Sequence, residues 1–277
     1  MKKLLITPLL LLLLSSCDKI DKPLQNYVPP EVPQRKVLLE DYTGHTCGNC
    51  PSAAEVAANL EKKYGSELVV VAVHAGYFSK TSSSYPNSYT TTAGNAWNDH
   101  YLGISASYPI GILNRKNYGD GITAAPSKWA SVAELGFKDD FVMDLDILPQ
   151  YNSSARSLNV DVKAKFHKSY NSDVMVSVLL LEDSIIGPQT DYRFSPSKIS
   201  DYVFMHMLRT TLNGTWGTEL KAAPASAQDS TVVSFNNFAV DTAYNAKNLS
   251  IVAFTFDKNT REVLEVEKAK ITSTSNK

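Results

Sequence analysis

From Val142 onward this 277-residue chain repeats apolar side chains at every second position, and that period leaves few architectures open. Leu158, Val160, Val162, Ala164 and Phe166 alternate with polar residues, and Val174, Val176, Val178 and Leu180 do the same. A two-residue period gathers the apolar groups on one face of an extended strand. Residues 142–148, 202–208, 231–238, 249–256 and 263–271 carry similar patterns. About seven short strands, with turns such as Asn171-Ser172-Asp173 and Asp257-Lys258-Asn259 between them, predict an all-β, immunoglobulin-like sandwich over residues 141–277.

Residues 36–140 read differently. A buried strand over 36–42 is followed by a turn, Thr43-Gly44-His45-Thr46. Ala54, Val56, Ala57, Leu60 and Tyr64 then recur at helical spacings, and Gly65 stands where a helix should stop. The continuous apolar run 68–73 suits a strand covered on both faces of an α/β sheet. A final helix is predicted over 126–137, with Trp129, Val132, Ala133 and Leu135 facing inward. The change of pattern near 138–142 marks a domain boundary.

Three cysteines carry the chemistry. Cys47 and Cys50 enclose Gly48-Asn49 between the first strand and the first helix, the βαβ setting in which a Cys-x-x-Cys motif predicts redox chemistry. Unpaired N–H groups at a helix start stabilise a thiolate. Cys47 is therefore the candidate nucleophile and Cys50, one turn on, the resolving thiol. His45 is a candidate modulator of the thiolate, against the plainer reading of a solvated loop histidine. Asn49 is a second candidate modulator. A metal site on the two cysteines lacks a second ligand pair, so no metal or other cofactor is expected beyond a redox-active Cys47–Cys50 disulfide. Met205-His206-Met207 resembles a soft-metal ligand set. On one strand the two methionines would share a face and the histidine point away, which favours core methionines and an exposed histidine.

The third cysteine, Cys17, ends the string Leu14-Ser15-Ser16-Cys17 after Lys2, Lys3 and a short apolar run. This is a secretory signal too short to span a bilayer, and its ending resembles the bacterial lipobox, which implies acylation of Cys17 and anchorage to a membrane. Residues 1–17 are read as signal and lipidation site. Residues 18–35, with Pro23, Pro29, Pro30 and Pro33, are read as an extended tether. Export permits a disulfide. Removing Lys2 and Lys3 from the 27 basic residues leaves 25 against 28 acidic ones, a net charge of −3, which offers nucleic acid no basic footprint.

Between the second strand and Pro109 lies a long insertion, 76–107, that mixes Ser, Thr and Asn with Tyr77, Tyr85, Tyr89, Trp97 and Tyr101. It suits either a binding surface or a plain excursion, and 92–102 suits a short helix.

The strand–Cys-x-x-Cys–helix arrangement resembles the thioredoxin superfamily. Asp41, six residues before Cys47, stands where that superfamily keeps a buried acid, and Tyr108-Pro109 stands where it keeps a cis-proline before a strand. The resemblance implies an α/β thioredoxin-like domain, a proton-acceptor role for Asp41 toward Cys50, and a substrate-docking role for Pro109. Thr46 and the central Gly48-Asn49 depart from the usual motif and leave the redox direction open.

Lipobox, Pro-rich tether, Thr-Gly-x-x-Cys-x-Asn-Cys, Tyr108 to Arg115 and a β-rich second half together resemble the "outer membrane protein twenty-eight" group of Gram-negative lipoproteins. That resemblance implies an outer-membrane, lipid-anchored location facing the periplasm or the cell surface. Two functions follow. One is a tethered thiol–disulfide oxidoreductase acting on thiols of exported proteins. The other is a non-catalytic surface binding or structural lipoprotein, with an unknown ligand and a structural Cys47–Cys50 disulfide.

Overall fold

The computed structural model describes residues 35–103 and 106–271. The lipobox with Cys17 and the tether up to residue 34 lie outside the described residues. In chain order the first half gives β1 (Val37–Thr43), α1 (Cys50–Tyr64), β2 (Leu68–His74), α2 (Thr92–Tyr101), β3 (Ile110–Leu113), β4 (Thr123–Ala124) and α3 (Trp129–Gly136). The second half supplies β5 (Met143–Asn152), β6 (Ser157–Phe166), β7 (Val174–Glu182), β8 (Ile185–Thr190) and β9 (Lys198–Phe204). It continues with β10 (Met207–Thr211), β11 (Thr218–Lys221), β12 (Ser230–Ala239), β13 (Leu249–Asp257) and β14 (Val263–Lys270).

This corrects the expected fold class. No α/β thioredoxin-like domain stands apart from a following sandwich: among the described residues strands dominate and the α-helices are only three, of 15, 10 and 8 residues. β1 and β2 do pair in parallel across α1, Val37 opposite Leu68 and Thr43 opposite His74. The sheet they start does not end there. It runs β14-β13-β7-β10-β2-β1-β3-β4, with β11 also on β7, so strands from both halves of the chain share it.

The join is narrow. β10 meets β2 in parallel at Met207 opposite Ala72, and the Ala72 amide donates to the His206 carbonyl at 2.8 Å. Without β10 the flank of β2 would be an open edge, a template for pairing with other chains. The core is shared as well. Leu38, Val69, Val71 and Val73 of the first half pack in one cluster with Leu179, Leu181, Val252 and Phe254 of the second.

β7 and β13 are buried on both faces. Val176, Val178, Ile251 and Ala253 point to the separate three-stranded layer β12-β6-β5, where Leu158, Val160 and Val162 meet them. That facing pair of sheets supplies the sandwich content that the alternation predicts. On the other side of β1 and β2, Val37, Leu39 and Val70 bury against Ala53, Ala57 and Leu60 of α1 and Trp129 of α3.

Several local expectations shift. The last helix is a 3-10 turn, Pro126–Lys128, followed by α3, and Leu135 is exposed rather than inward. The strand expected over 202–208 breaks at His206, whose φ of 55° ends extended backbone. Met205 is therefore exposed and Met207 fully buried, not two methionines on one core face. Trp97 and Tyr89 of the insertion are core residues, and the Trp97 indole donates to the Thr215 carbonyl at 2.7 Å.

Candidate functional site

Cys47 lies in the turn before α1, and Cys50 is the first residue of the helix, with Pro51 behind it where a missing N–H costs nothing. The two are disulfide-bonded, Cα to Cα 5.4 Å, and each is only 2 % exposed. The cover comes from two sides. On one, the start of the insertion lies against the loop, and the Thr46 amide and hydroxyl both donate to the Phe78 carbonyl, at 3.0 and 2.9 Å.

On the other side the β8–β9 hairpin closes down. Gln189 Nε2 donates to the Cys47 carbonyl at 3.0 Å, the Thr190 amide to the His45 carbonyl at 2.9 Å, and the Tyr192 amide to the Gly48 carbonyl at 3.0 Å. The Tyr192 ring lies so close over Gly48 that a Cβ there would stand 2.4 Å from it. Gly48 is needed for that approach. Arg193 holds the hairpin tip in place, through Asp191 at 2.6 Å and Glu55 of α1 at 2.8 Å.

His45 is buried rather than solvated. Its ring stacks on Tyr85 at 5.3 Å and meets Tyr89 edge-on, while Nε2 faces the Lys80 carbonyl at 3.0 Å. Burial pushes its pKa down, which favours the neutral ring. His74, 6.4 Å away, is driven down to about 3 by the same cause. A neutral histidine gives Cys47 no positive charge. Asn49 is exposed and its side chain makes no capping bond to α1.

Asp41 is 97 % buried by position on β1, 3 % exposed, and its Oδ1 has no hydrogen-bond partner among the described residues. Burial raises its pKa to about 7. The side chain lines a cavity of about 200 Å³ between α1, β2 and β9, and neither cysteine lines that cavity. Pro109 follows a cis peptide bond from Tyr108 and leads into β3. Tyr108 is buried, with its hydroxyl on Asn98 Oδ1 at 2.5 Å.

Sequence reasoning missed the hairpin. Its first strand, Ile185-Ile186-Gly187-Pro188-Gln189-Thr190, contains a glycine and a proline that depress any strand reading. Gln189, Asp191, Tyr192 and Arg193 consequently carried no signal. Among the described residues no group of three or more His, Cys, Asp or Glu side chains is placed to hold a metal ion. No described helix is long and apolar enough to cross a membrane.

A family model described as "Outer membrane protein Omp28" matches residues 95–275, more than half of the chain, and begins after the Cys-x-x-Cys loop. No curated protein matches. Among solved structures, HBP35 of Porphyromonas gingivalis superposes with a TM-score of 0.62 at 17 % identity, over 88 % of this chain and 78 % of its own. Protein AGR_C_4864 from Agrobacterium tumefaciens gives 0.53 at 14 % identity, over 89 % and 99 %. At those identities the likeness is one of fold. A domain of the outer membrane lipoprotein Omp28 from Porphyromonas gingivalis is 26 % identical, over 48 % of this chain and 98 % of that one, with a TM-score of 0.32.

Proposed function

The chain belongs to the Omp28 family of outer membrane proteins, and from that premise we propose that it is a non-catalytic binding lipoprotein whose Cys47–Cys50 disulfide is a structural clasp. The outer-membrane, lipid-anchored location expected from the N-terminus agrees with the family. The observation that carries the reading is the burial of the disulfide, each cysteine being 2 % exposed, in a loop whose backbone the β8–β9 hairpin binds. Thiol–disulfide exchange needs a thiolate to reach a sulfur along the S–S axis, so its rate follows access. Here the Gln189, Thr190 and Tyr192 contacts close the loop on one side and Phe78 closes it on the other. The neutral His45 does nothing to activate a thiolate.

Binding is the better use of what faces outward. Ile186, Tyr192, Phe194 and Val203, all on the hairpin or its tip, are large apolar side chains left about half exposed or more. Apolar groups gathered on one surface element are typical of contact surfaces. The competing reading, an oxidoreductase acting on exported proteins, has in its favour the placement of Cys50 at the first position of α1.

One measurement separates them: the rate at which dithiothreitol reduces Cys47–Cys50 in the folded protein, read by alkylation and mass, beside a turnover assay on a disulfide substrate. The clasp reading expects slow reduction that speeds up only with unfolding, and no turnover. Fast reduction in the native state with turnover would overturn it.

A further inference from the structure

The inward face of α1 changes character along its length. Where Leu60 and Tyr64 lie, it fills the space above the sheet. One to two turns earlier it offers only Ala54, Ala57 and Ala58, and β2 sets Ala72 directly beside Asp41 in the parallel register. Side chains this short cannot fill a helix-to-sheet gap, and interiors otherwise pack to crystal-like density. The cavity of about 200 Å³ is the result. Its mouth is at the surface, where Ala58, Val203 and Met205 are exposed.

The walls are mostly apolar, and Asp41 lies on them as a nearly fully buried carboxyl, with the partly buried Tyr202 also in the lining. A buried carboxyl oxygen without a partner costs free energy, so its retention in an apolar cavity calls for a donor from outside. The other charges near the mouth are already engaged. Glu55 pairs with Arg193 at 2.8 Å, and His206 Nε2 pairs with Glu61 at 2.8 Å. The contrast between paired rim charges and an unpartnered carboxyl oxygen on the floor defines what fits.

We propose that this cavity binds a primary alkylammonium group, the ammonium hydrogen-bonded to Asp41 and the methylene chain lying along the alanine-lined wall. Charge-assisted pairing of a carboxylate with an ammonium satisfies Asp41, and the aliphatic stem covers the apolar surface. Size agrees: a volume of about 200 Å³, against roughly 30 Å³ for a liquid water, admits about six heavy atoms in a linear chain. A free aliphatic amine and the side chain of a lysine present the same chemistry. The inference deepens the binding reading above and rests on it, but the reduction-rate measurement and the titration below fail independently of each other.

The test titrates three probes into the mature lipoprotein in detergent micelles, with micelles alone as blank. The probes are n-pentylammonium chloride, n-pentanol, and a blocked tripeptide with lysine between two glycines. Saturable binding of one or both ammonium probes is expected. Pentanol should bind at least about tenfold more weakly, as should pentylammonium to Asp41→Asn, since hydrogen bonds to charged groups are worth that much or more. Ala58→Phe changes an exposed helix position at the mouth, leaves the core alone, and should also weaken binding by about tenfold through lost access and packing. It keeps the test decisive if Asp41→Asn fails to fold. Tighter binding of the peptide assigns the ammonium to a polypeptide lysine, and tighter binding of pentylammonium assigns it to a free amine. The proposal is overturned if neither ammonium probe saturates, if pentanol binds as tightly, or if both folded variants bind as the wild type does.

Discussion

Glu40 and Asp41 are neighbours on β1, both carboxylates, both almost fully buried, and they lie on opposite faces of the same sheet. On the Glu40 side everything is closed. Arg115 meets Glu40 with two hydrogen bonds, Nε to Oε2 at 2.9 Å and Nη2 to Oε1 at 2.6 Å. The guanidinium is packed against the rings of Trp97, Tyr101 and Phe254, at 4.9, 5.2 and 4.7 Å from their centres. That one arginine ties the end of β3 to β1, α2 and β13. On the Asp41 side the carboxyl faces alanines and a cavity. Burial by itself says little about an acidic residue, since a partner is what distinguishes Glu40 from Asp41.

The strongest way to break the contrast is to open the closed side. Arg115→Leu leaves Glu40 buried without its counter-charge, and urea unfolding should show a loss of about 3–5 kcal/mol. The double change with Glu40→Gln should recover part of it. Near-additive losses would mean that the ion pair contributes little beyond its packing.

Closing the open side should do the reverse. Asp41 has a folded pKa of about 7, against about 3.9 in an unfolded chain. Between those values the folded state binds the extra proton, so stability falls as pH rises from 4 to 7 and is level above that. Asp41→Asn should therefore be neutral near pH 4 and stabilising by about 2–4 kcal/mol at pH 8. Denaturation at the two pH values checks it, and an equal effect at both would remove the electrostatic account. Glu265, raised by burial to about 8, slopes the same way in the wild type and must be allowed for.

Smaller effects concern the loop that leaves the same strand. Cys47→Ser and Cys50→Ser should each lower stability by about 2 kcal/mol, the chain-entropy value for so short a loop. Loss of stability without loss of any exchange activity separates a clasp from a catalyst. Tyr192→Ala removes the ring above Gly48 and should change stability by about 1 kcal/mol or less. Its mark would be faster reduction of the disulfide by dithiothreitol, and an unchanged rate would mean that the hairpin is not the barrier.

Much of the secondary structure is legible in the amino-acid order. The two-residue alternation located β5, β6, β7, β12, β13 and β14 within a few residues, because each has a face on one continuous core. Thr91 caps α2 through its hydroxyl, 2.9 Å from the Gly94 amide, and the helix falls where the insertion hinted at one. Asn114 and Arg115, noticed only as part of a motif, turn out to hold β1. Asn114 Oδ1 accepts from the Leu38 amide at 2.9 Å, and both residues have positive φ, 48° and 51°. The fold class was misread because the local strand–helix–strand pattern is silent about which strand lies beyond β2. The surroundings of the cysteines were not legible for a related reason. A Cys-x-x-Cys motif states what the sulfurs can do if reached, and it is silent about Gln189 and Tyr192, more than 140 residues away, which bind the backbone of the same loop.

By itself, then, the amino-acid order determined the elements with strong short-range patterns: the strands of period two, α1 and its alanine face, the cysteine spacing, and the family to which residues 95–275 belong. Tertiary structure alone decided three things: that Met207 meets Ala72 and merges two halves into one sheet, that a hairpin binds the backbone of the cysteine loop, and that Glu40 finds an arginine while Asp41 does not. The physical reason is the same in each case. Periodicity and propensity act between residues a few positions apart, whereas pairing, cover and counter-charge come from residues tens to more than a hundred positions away, and nothing in the local pattern encodes which of them will arrive.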